Sequence, residues 1–195
     1  MGVLLCILDG FTDPEFDPAD YPALSGLRRL GDVDTALGEK PESLNCILHL
    51  LGIRNVPPFP ERGCVISGTS VVRGIGKLLG MDVWTVPGAT GDTDTDLNAK
   101  RFAALDAAGK YPFVLLHING ADEASHRKDA MEKRAFLPRV DAEIVRPLAT
   151  NLPFFIVTGD HAADPRTGTH ESTPQPVFIN RFPGKFPDFL PFFPR

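Results

Sequence analysis

Three uninterrupted apolar runs, each ending abruptly in polar residues, constrain this chain more than any other feature. Val3-Leu-Leu-Cys-Ile-Leu8 stops at Asp9-Gly10, Phe113 to Ile118 runs into Asn119 to Asp122, and Phe154 to Thr158 runs into Gly159-Asp160-His161. A strand with one face in water alternates apolar and polar residues. A run that does not alternate reads as a strand buried on both faces, as in a parallel sheet. Val83 to Val86 is a shorter candidate strand, and Val177 to Asn180 is another, expected at an edge. Between them lie stretches of helical character: Pro22 to Leu30, Ser43 to Leu51, Thr69 to Leu79 and Asp96 to Ala108, each stopped by a glycine, Gly31, Gly52, Gly80 and Gly109. Asp122 to Leu148 is longer and contains Pro138, which lacks a backbone donor, so a kink or a break into two helices is expected there. Strands alternating with helices predict an α/β fold, a mostly parallel sheet flanked by helices.

The 195 residues suffice to bury a core without staples and are read as a single domain, 1–195. Apolar residues make up 43% and charged residues 23%, which excludes a collagen or a disordered tail. The net charge of -5 gives no broad attraction to nucleic acid or to an anionic membrane. An anionic substrate must then be held locally, by metal ions or helix N-termini. Three cysteines, Cys6, Cys46 and Cys64, lie in apolar runs with no CxxC spacing, and read as buried thiols of a cytoplasmic protein. The tail from Arg181 to Arg195 holds five Phe and four Pro. It reads as a segment lying over its own core or, alternatively, as a subunit contact through which the chain forms a homo-oligomer.

In open parallel sheets, ligands sit beyond the carboxyl ends of the strands, so the polar residues after each run are the first suspects. Asp122 and His126 stand four apart at a helix start and share one face. Asp160-His161 follows a strand, and His170 lies nine residues on. Carboxylates mixed with imidazoles suit zinc or manganese, and two ions about 3.5–4 Å apart are typical of enzymes acting on phosphate esters. Ser43 begins a candidate helix, where free N–H groups and the dipole favour an ionised hydroxyl; its bland role is to cap that helix. Gly74, Gly76 and Gly80 lack the spacing of a dinucleotide site, and the Asp92, Asp94 and Asp96 series lacks the closing Glu of a calcium loop. Glu171 and His117 read as surface and strand-end groups rather than catalysts.

Taken in order, several segments resemble cofactor-independent phosphoglycerate mutase, in its archaeal-type, 2,3-bisphosphoglycerate-independent branch, a family of the alkaline phosphatase superfamily. They are Ile7 to Asp13; Glu42 to Ile53, where Ser43 stands nine residues before Gly52; Gly74-Ile-Gly-Lys-Leu-Leu-Gly80; Val86-Pro-Gly-Ala-Thr-Gly91 with Asp94 to Lys100; His117 to His126; and Thr158 to Pro176. The resemblance implies an alkaline-phosphatase-like metalloenzyme core. It implies that Asp122, His126 and His170 hold one divalent ion, and that Asp9, Ser43, Asp160 and His161 hold the other. The ions would be manganese or zinc, with magnesium a third option, and Ser43 would be the nucleophile.

Departures carry information too. The family inserts a large second domain between its nucleophile region and the Gly-Ile-Gly segment; here only Arg54 to Cys64 stands in its place. Glu42 replaces the usual Gly before the serine, and Thr12 replaces a Gly in the opening loop. The expected function is two-metal phosphoryl transfer with a serine nucleophile, phosphoglycerate-mutase-like or as a phosphomonoesterase on a small phosphorylated metabolite. The alternative is a catalytically reduced metal-binding relative with a structural or regulatory role.

Overall fold

A computed structural model of the chain describes residues 2–33 and 61–181. Ser43 and the helix expected around it, Glu42, Cys46, the join from Arg54 as far as residue 60, and the tail beyond Arg181 lie outside the described residues. In chain order the strands are β1 (Val3–Leu8), β2 (Arg28–Val33), β3 (Gly63–Ile66), β4 (Asp82–Trp84), β5 (Phe113–Ile118), β6 (Phe155–Gly159), β7 (Ala162–Asp164), β8 (Thr169–Glu171) and β9 (Gln175–Ile179). The helices are α1 (Pro22–Ser25), α2 (Ser70–Leu78), α3 (Leu97–Ala108), α4 (Gly120–His126), α5 (Ala130–Val140) and α6 (Arg146–Asn151), with a π-helical turn, Asp141–Val145, between the last two.

Seven strands form one sheet in the order β2-β9-β6-β1-β5-β3-β4. The five from β6 to β4 run parallel, while β9 is antiparallel to both of its neighbours. The three long apolar runs are the three central strands, which explains their lack of alternation: both faces are covered. Leu4, Cys6 and Leu8 of β1 enter one core with Val114, Leu116, Phe136 and Ile144. Val3 and Leu5 enter a second core on the other face with Val65, Phe113, Ile156 and Val177. Burial contributes roughly 1.5–3 kcal/mol for each such Val, Leu, Ile or Phe side chain.

The periphery departs from the sequence reading. Pro22 to Leu30 gives only the single turn α1, held by the buried carboxylate of Asp141, which accepts from the N–H groups of Ala23 and Leu24 at 2.9 and 2.8 Å. The residues after it extend as β2 and pair with β9, with a register shift between Arg29 and Gly31, whose φ is 143°. Because β2 takes the edge, the strand expected there, β9, is interior. Cys64, read as part of a join, lies in β3, paired on both sides. The break in the long helical stretch comes at Lys128 (φ 59°), after which Asp129 caps α5 through Glu132 N. Pro138 sits inside α5, three residues ahead of the π-helical turn. No helix among the described residues is long and apolar enough to cross a membrane.

Candidate metal centre

Parallel pairing of β1 with β5 and β6 brings three strand ends to one edge of the sheet. Asp9 follows β1, Asp160 and His161 follow β6, and α4 begins two residues after β5. Gly10 lets the first of these loops come close. Its φ is 61°, and a Cβ there would lie 2.6 Å from Asp122 Cα, so only glycine permits the opening loop to lie against α4. Asp122 and His126 share one face of α4. His170 arrives on β8, in a small hairpin with β7, and β7 is tied to the opening loop by a bridge between Thr12 and Ala162. The Thr12 hydroxyl donates to Gln175 Oε1 at 3.0 Å, which anchors that loop to β9.

The described candidates converge in two groups. His126 Nε2 stands 3.2 Å from Asp122 Oδ2, His170 Nε2 stands 3.3 Å from Asp122 Oδ1, and the two Nε2 atoms are 2.9 Å apart. His161 Nε2 lies 3.0 Å from Asp9 Oδ1 and 3.7 Å from Asp160 Oδ2. His161 also stacks on His170, with ring centroids 3.9 Å apart, and its ligand atom lies within 4.8 Å of those of Asp122 and His170. It therefore stands between the groups rather than wholly in the second, where the sequence reading put it.

This donor set fits divalent ions. Two atoms each about 2.0–2.2 Å from one ion stand about 3 Å apart, the spacing seen in both groups. The imidazoles are also prepared. His126 Nδ1 faces Gly168 O at 3.1 Å and His161 Nδ1 faces Ala162 O at 3.2 Å. A carbonyl only accepts, so each Nδ1 carries a proton, and Nε2 is the nitrogen turned inward that a bound ion would take in place of a proton, the usual arrangement of a ligating histidine. Two carboxylate oxygens, Asp9 Oδ1 and Asp122 Oδ1, are buried and make no hydrogen bond although imidazole nitrogens stand close. Buried polar atoms are rarely left so, and a cation shared with the neighbouring imidazole satisfies each of them.

The titration of the site tells the same story. Burial works against the charged form of His161, but the Asp9 carboxylate 3.0 Å away and the charges of Asp160 and Asp122 outweigh it and hold the ring up at about 9. Burial opposes ionisation of Asp9 as well, and the imidazoles of His117 and His161 close beside it pull its carboxyl far below the ordinary range. Burial and then the Asp9 charge raise Asp122. The same two causes push Asp160 up to about 7, with solvent working against the rise, since 39% of its side chain is open. Burial, then His161, lowers His170. Three carboxylates crowded together call for positive charge, which a proton on His161 or a bound cation supplies.

Two contributors escaped the sequence reading. His117, taken as a strand-end group, is 2% exposed and places Nε2 3.1 Å from Asp9 Oδ2. The ligand atoms of Asp9, His117 and Asp160 lie within 4.8 Å of one another. The available signal was a lone polar residue in an apolar strand, which needs a partner. Lys133 is fully buried. Its ammonium donates to Ala163 O at 2.7 Å and Thr12 O at 3.4 Å and pairs with Asp13 at 3.3 Å, so one cation joins two of the ligand-bearing loops. The Asp92, Asp94 and Asp96 series is spent elsewhere: Asp92 pairs with Arg127, Asp94 accepts from Thr90, and Asp96 caps α3. Glu171 lies in β8.

The model of the Metalloenzyme superfamily matches residues 60–182. The 2,3-bisphosphoglycerate-independent phosphoglycerate mutase of Methanoculleus marisnigri is 39% identical over 133 residues, covering 66% of this chain and 32% of that protein. The Archaeoglobus fulgidus enzyme of the same name, numbered 1, is 40% identical over 133 residues, covering 64% and 32%. The match thus spans about a third of the length of these curated relatives. Among solved structures, the PH0037 protein from Pyrococcus horikoshii superposes with a TM-score of 0.66 at 18% identity, covering 91% of this chain and 84% of the other. The alkaline phosphatase from the Antarctic bacterium TAB5 gives a TM-score of 0.52 at 13% identity, covering 91% and 90%. These two likenesses are of fold alone.

Proposed function

Because this chain belongs to the Metalloenzyme superfamily, we propose that it transfers phosphoryl groups with the help of two divalent ions and uses Ser43 as nucleophile. The observation that carries this reading is the pair of buried carboxylate oxygens, Asp9 Oδ1 and Asp122 Oδ1, left without hydrogen bonds among inward-facing imidazoles. Asp122, His126 and His170 would hold one ion. Asp9, Asp160 and Ser43 would hold the other, with His161 between. Imidazole-rich sets favour zinc or manganese over magnesium. When bound, the ions supply the positive charge that stabilises the transferring phosphoryl oxygens.

The chain's own part is covalent and positional. Ser43 Oγ forms a bond to phosphorus as the ester bond to the alcohol breaks, and the alcohol leaves with a proton. Water then attacks the phosphoserine, releases inorganic phosphate and restores the hydroxyl. This makes the protein a phosphomonoesterase acting on a small phosphorylated metabolite. Phosphoglycerate mutase activity needs a second grip that returns the phosphoryl group to the same molecule. The resemblance assigns that grip to an inserted domain for which the join at 54–64 has no room.

An aryl phosphate assay with manganese or zinc tests the reading. The wild type should release the phenol and acquire phosphate at Ser43, seen by mass spectrometry, and Ser43→Ala should do neither. Full turnover by Ser43→Ala would make water the direct nucleophile. No turnover by either protein would favour a catalytically reduced relative, the reading that Glu42 beside the nucleophile supports.

A further inference from the structure

We infer that His117 is a positioning residue for Asp9: it donates from Nε2–H to Asp9 Oδ2, aims Oδ1 at the ion, and does not itself ligate. The inference rests on the metal-centre reading above and adds a residue to it.

Three of the four histidines near Asp9 and Asp122 separate by what stands behind them. Nδ1 of His126 and Nδ1 of His161 face carbonyl oxygens, which can only accept, so Nδ1 keeps its proton and Nε2 is the nitrogen left for an ion. His117 Nδ1 faces a hydroxyl instead, Ser67 Oγ at 3.3 Å. That oxygen already receives the N–H of Thr69 at 3.1 Å and stands 3.0 Å from Thr69 Oγ1. The Asp9 carboxylate facing Nε2 can only accept, which calls for the proton there, and the Ser67–Thr69 hydroxyl pair is free to match it: when Thr69 donates, both lone pairs of Ser67 are engaged and its own hydrogen goes to His117 Nδ1. The proton of His117 is then on Nε2, 3.1 Å from Asp9 Oδ2. The other oxygen of the same carboxylate, Oδ1, is the buried one that makes no hydrogen bond.

The donor is held rigidly. His117 lies opposite Ile7 in the β1–β5 register, and the buried ammonium of Lys100 lies 3.4 Å from the His117 carbonyl and 2.9 Å from that of Thr90. Ser67 and His117 are 5% and 2% exposed, so water does not compete for the Ser67–His117 link in the middle of the chain Thr69–Ser67–His117–Asp9. Outer partners of this kind orient a ligating carboxylate and tune its affinity for the ion.

The test uses the full chain labelled with [15N]histidine, metal-free and with two equivalents of zinc. The His117 signal, assigned by its loss in His117→Gln, should show the Nε2–H tautomer in both states. Loss of that proton on adding zinc would make His117 a ligand and overturn the inference. Zinc affinity supplies the second readout. His117→Leu should weaken one of two ions about 10–100-fold. His117→Gln, whose amide keeps a donor at the same reach, should restore most of it. Wild-type affinity in His117→Leu would sink the inference alone. A wild type that binds no zinc would sink the metal-centre reading itself. If His117→Leu does not fold, the wild-type tautomer still decides.

Discussion

His126 Nε2 and His170 Nε2 face each other at 2.9 Å, one from the last turn of a helix and the other from a three-residue strand. The Nδ1 of the same His126 bonds Gly168 O, two residues before His170, so the helix fixes the hairpin that brings its partner. Gly168 makes the turn possible with a φ of 74°.

Removing either ring should therefore cost more than the roughly 10–100-fold in metal affinity that loss of an outer partner costs. His126→Ala and His170→Ala, titrated with zinc against a competing chelator, should each retain one strong ion and lose the other. Unchanged affinity in either variant would exclude that histidine from the centre.

Gly10→Ala should destabilise the protein and loosen the centre together. A left-handed backbone alone costs an L-residue about 1–2 kcal/mol, and here the added Cβ also meets the backbone of Asp122. Chemical unfolding should show a loss above that figure, accompanied by weaker zinc binding. An Ala variant as stable as wild type would mean that the two loops can part without cost.

Lys100 predicts a slope of stability with pH. Burial lowers its ammonium to about 8 from the ordinary 10.5. Between those values the unfolded chain holds the proton and the folded chain has released it, so folding strengthens as pH rises from about 8 to 10.5. The gain is at most of the order of 3 kcal/mol. Urea unfolding at several pH values should show this rise in wild type relative to Lys100→Met; parallel curves would show that Lys100 stays protonated.

Lys133→Met should cost about 2–3 kcal/mol, because the carbonyl of Ala163 and the carboxylate of Asp13 lose a buried cation. Since the lost contacts join the opening loop to the strand after His161, the Asp9 side should also bind zinc more weakly. Unfolding free energy and zinc titration of the same preparation check both effects.

The central strands were legible because burial on two faces leaves an unmistakable apolar run. The elements that frame the site were not, each for a local reason. Arg28 to Val33 mixes charge with a glycine bulge, since an edge strand has only one neighbour to satisfy. Gly63 to Ile66 is four residues long. Thr169 to Glu171 has no pattern, and its strand character comes from pairing with β7. Among the candidate ligands, Asp122 and His126 could be paired from helical spacing alone. The convergence of Asp9, Asp160 and His170 is a product of strand order, which no local signal encodes. Ser43 lies outside the described residues, so its place rests on resemblance.

The central place of β1 also governs when the protein can become itself. Among the described residues, β1 pairs with strands made more than a hundred residues after it, beginning at Phe113 and Phe155. Closing such long loops is slow, and it cannot begin until those segments have left the ribosome. Until then β1 is a bare apolar strand with both edges open, the kind of surface that chaperones cover and aggregates recruit. Asp9, the first of the candidate ligands to be synthesised, has to wait for His170. Loading with metal is thus a late event in the life of each new chain, and it reports that the chain has reached its native topology.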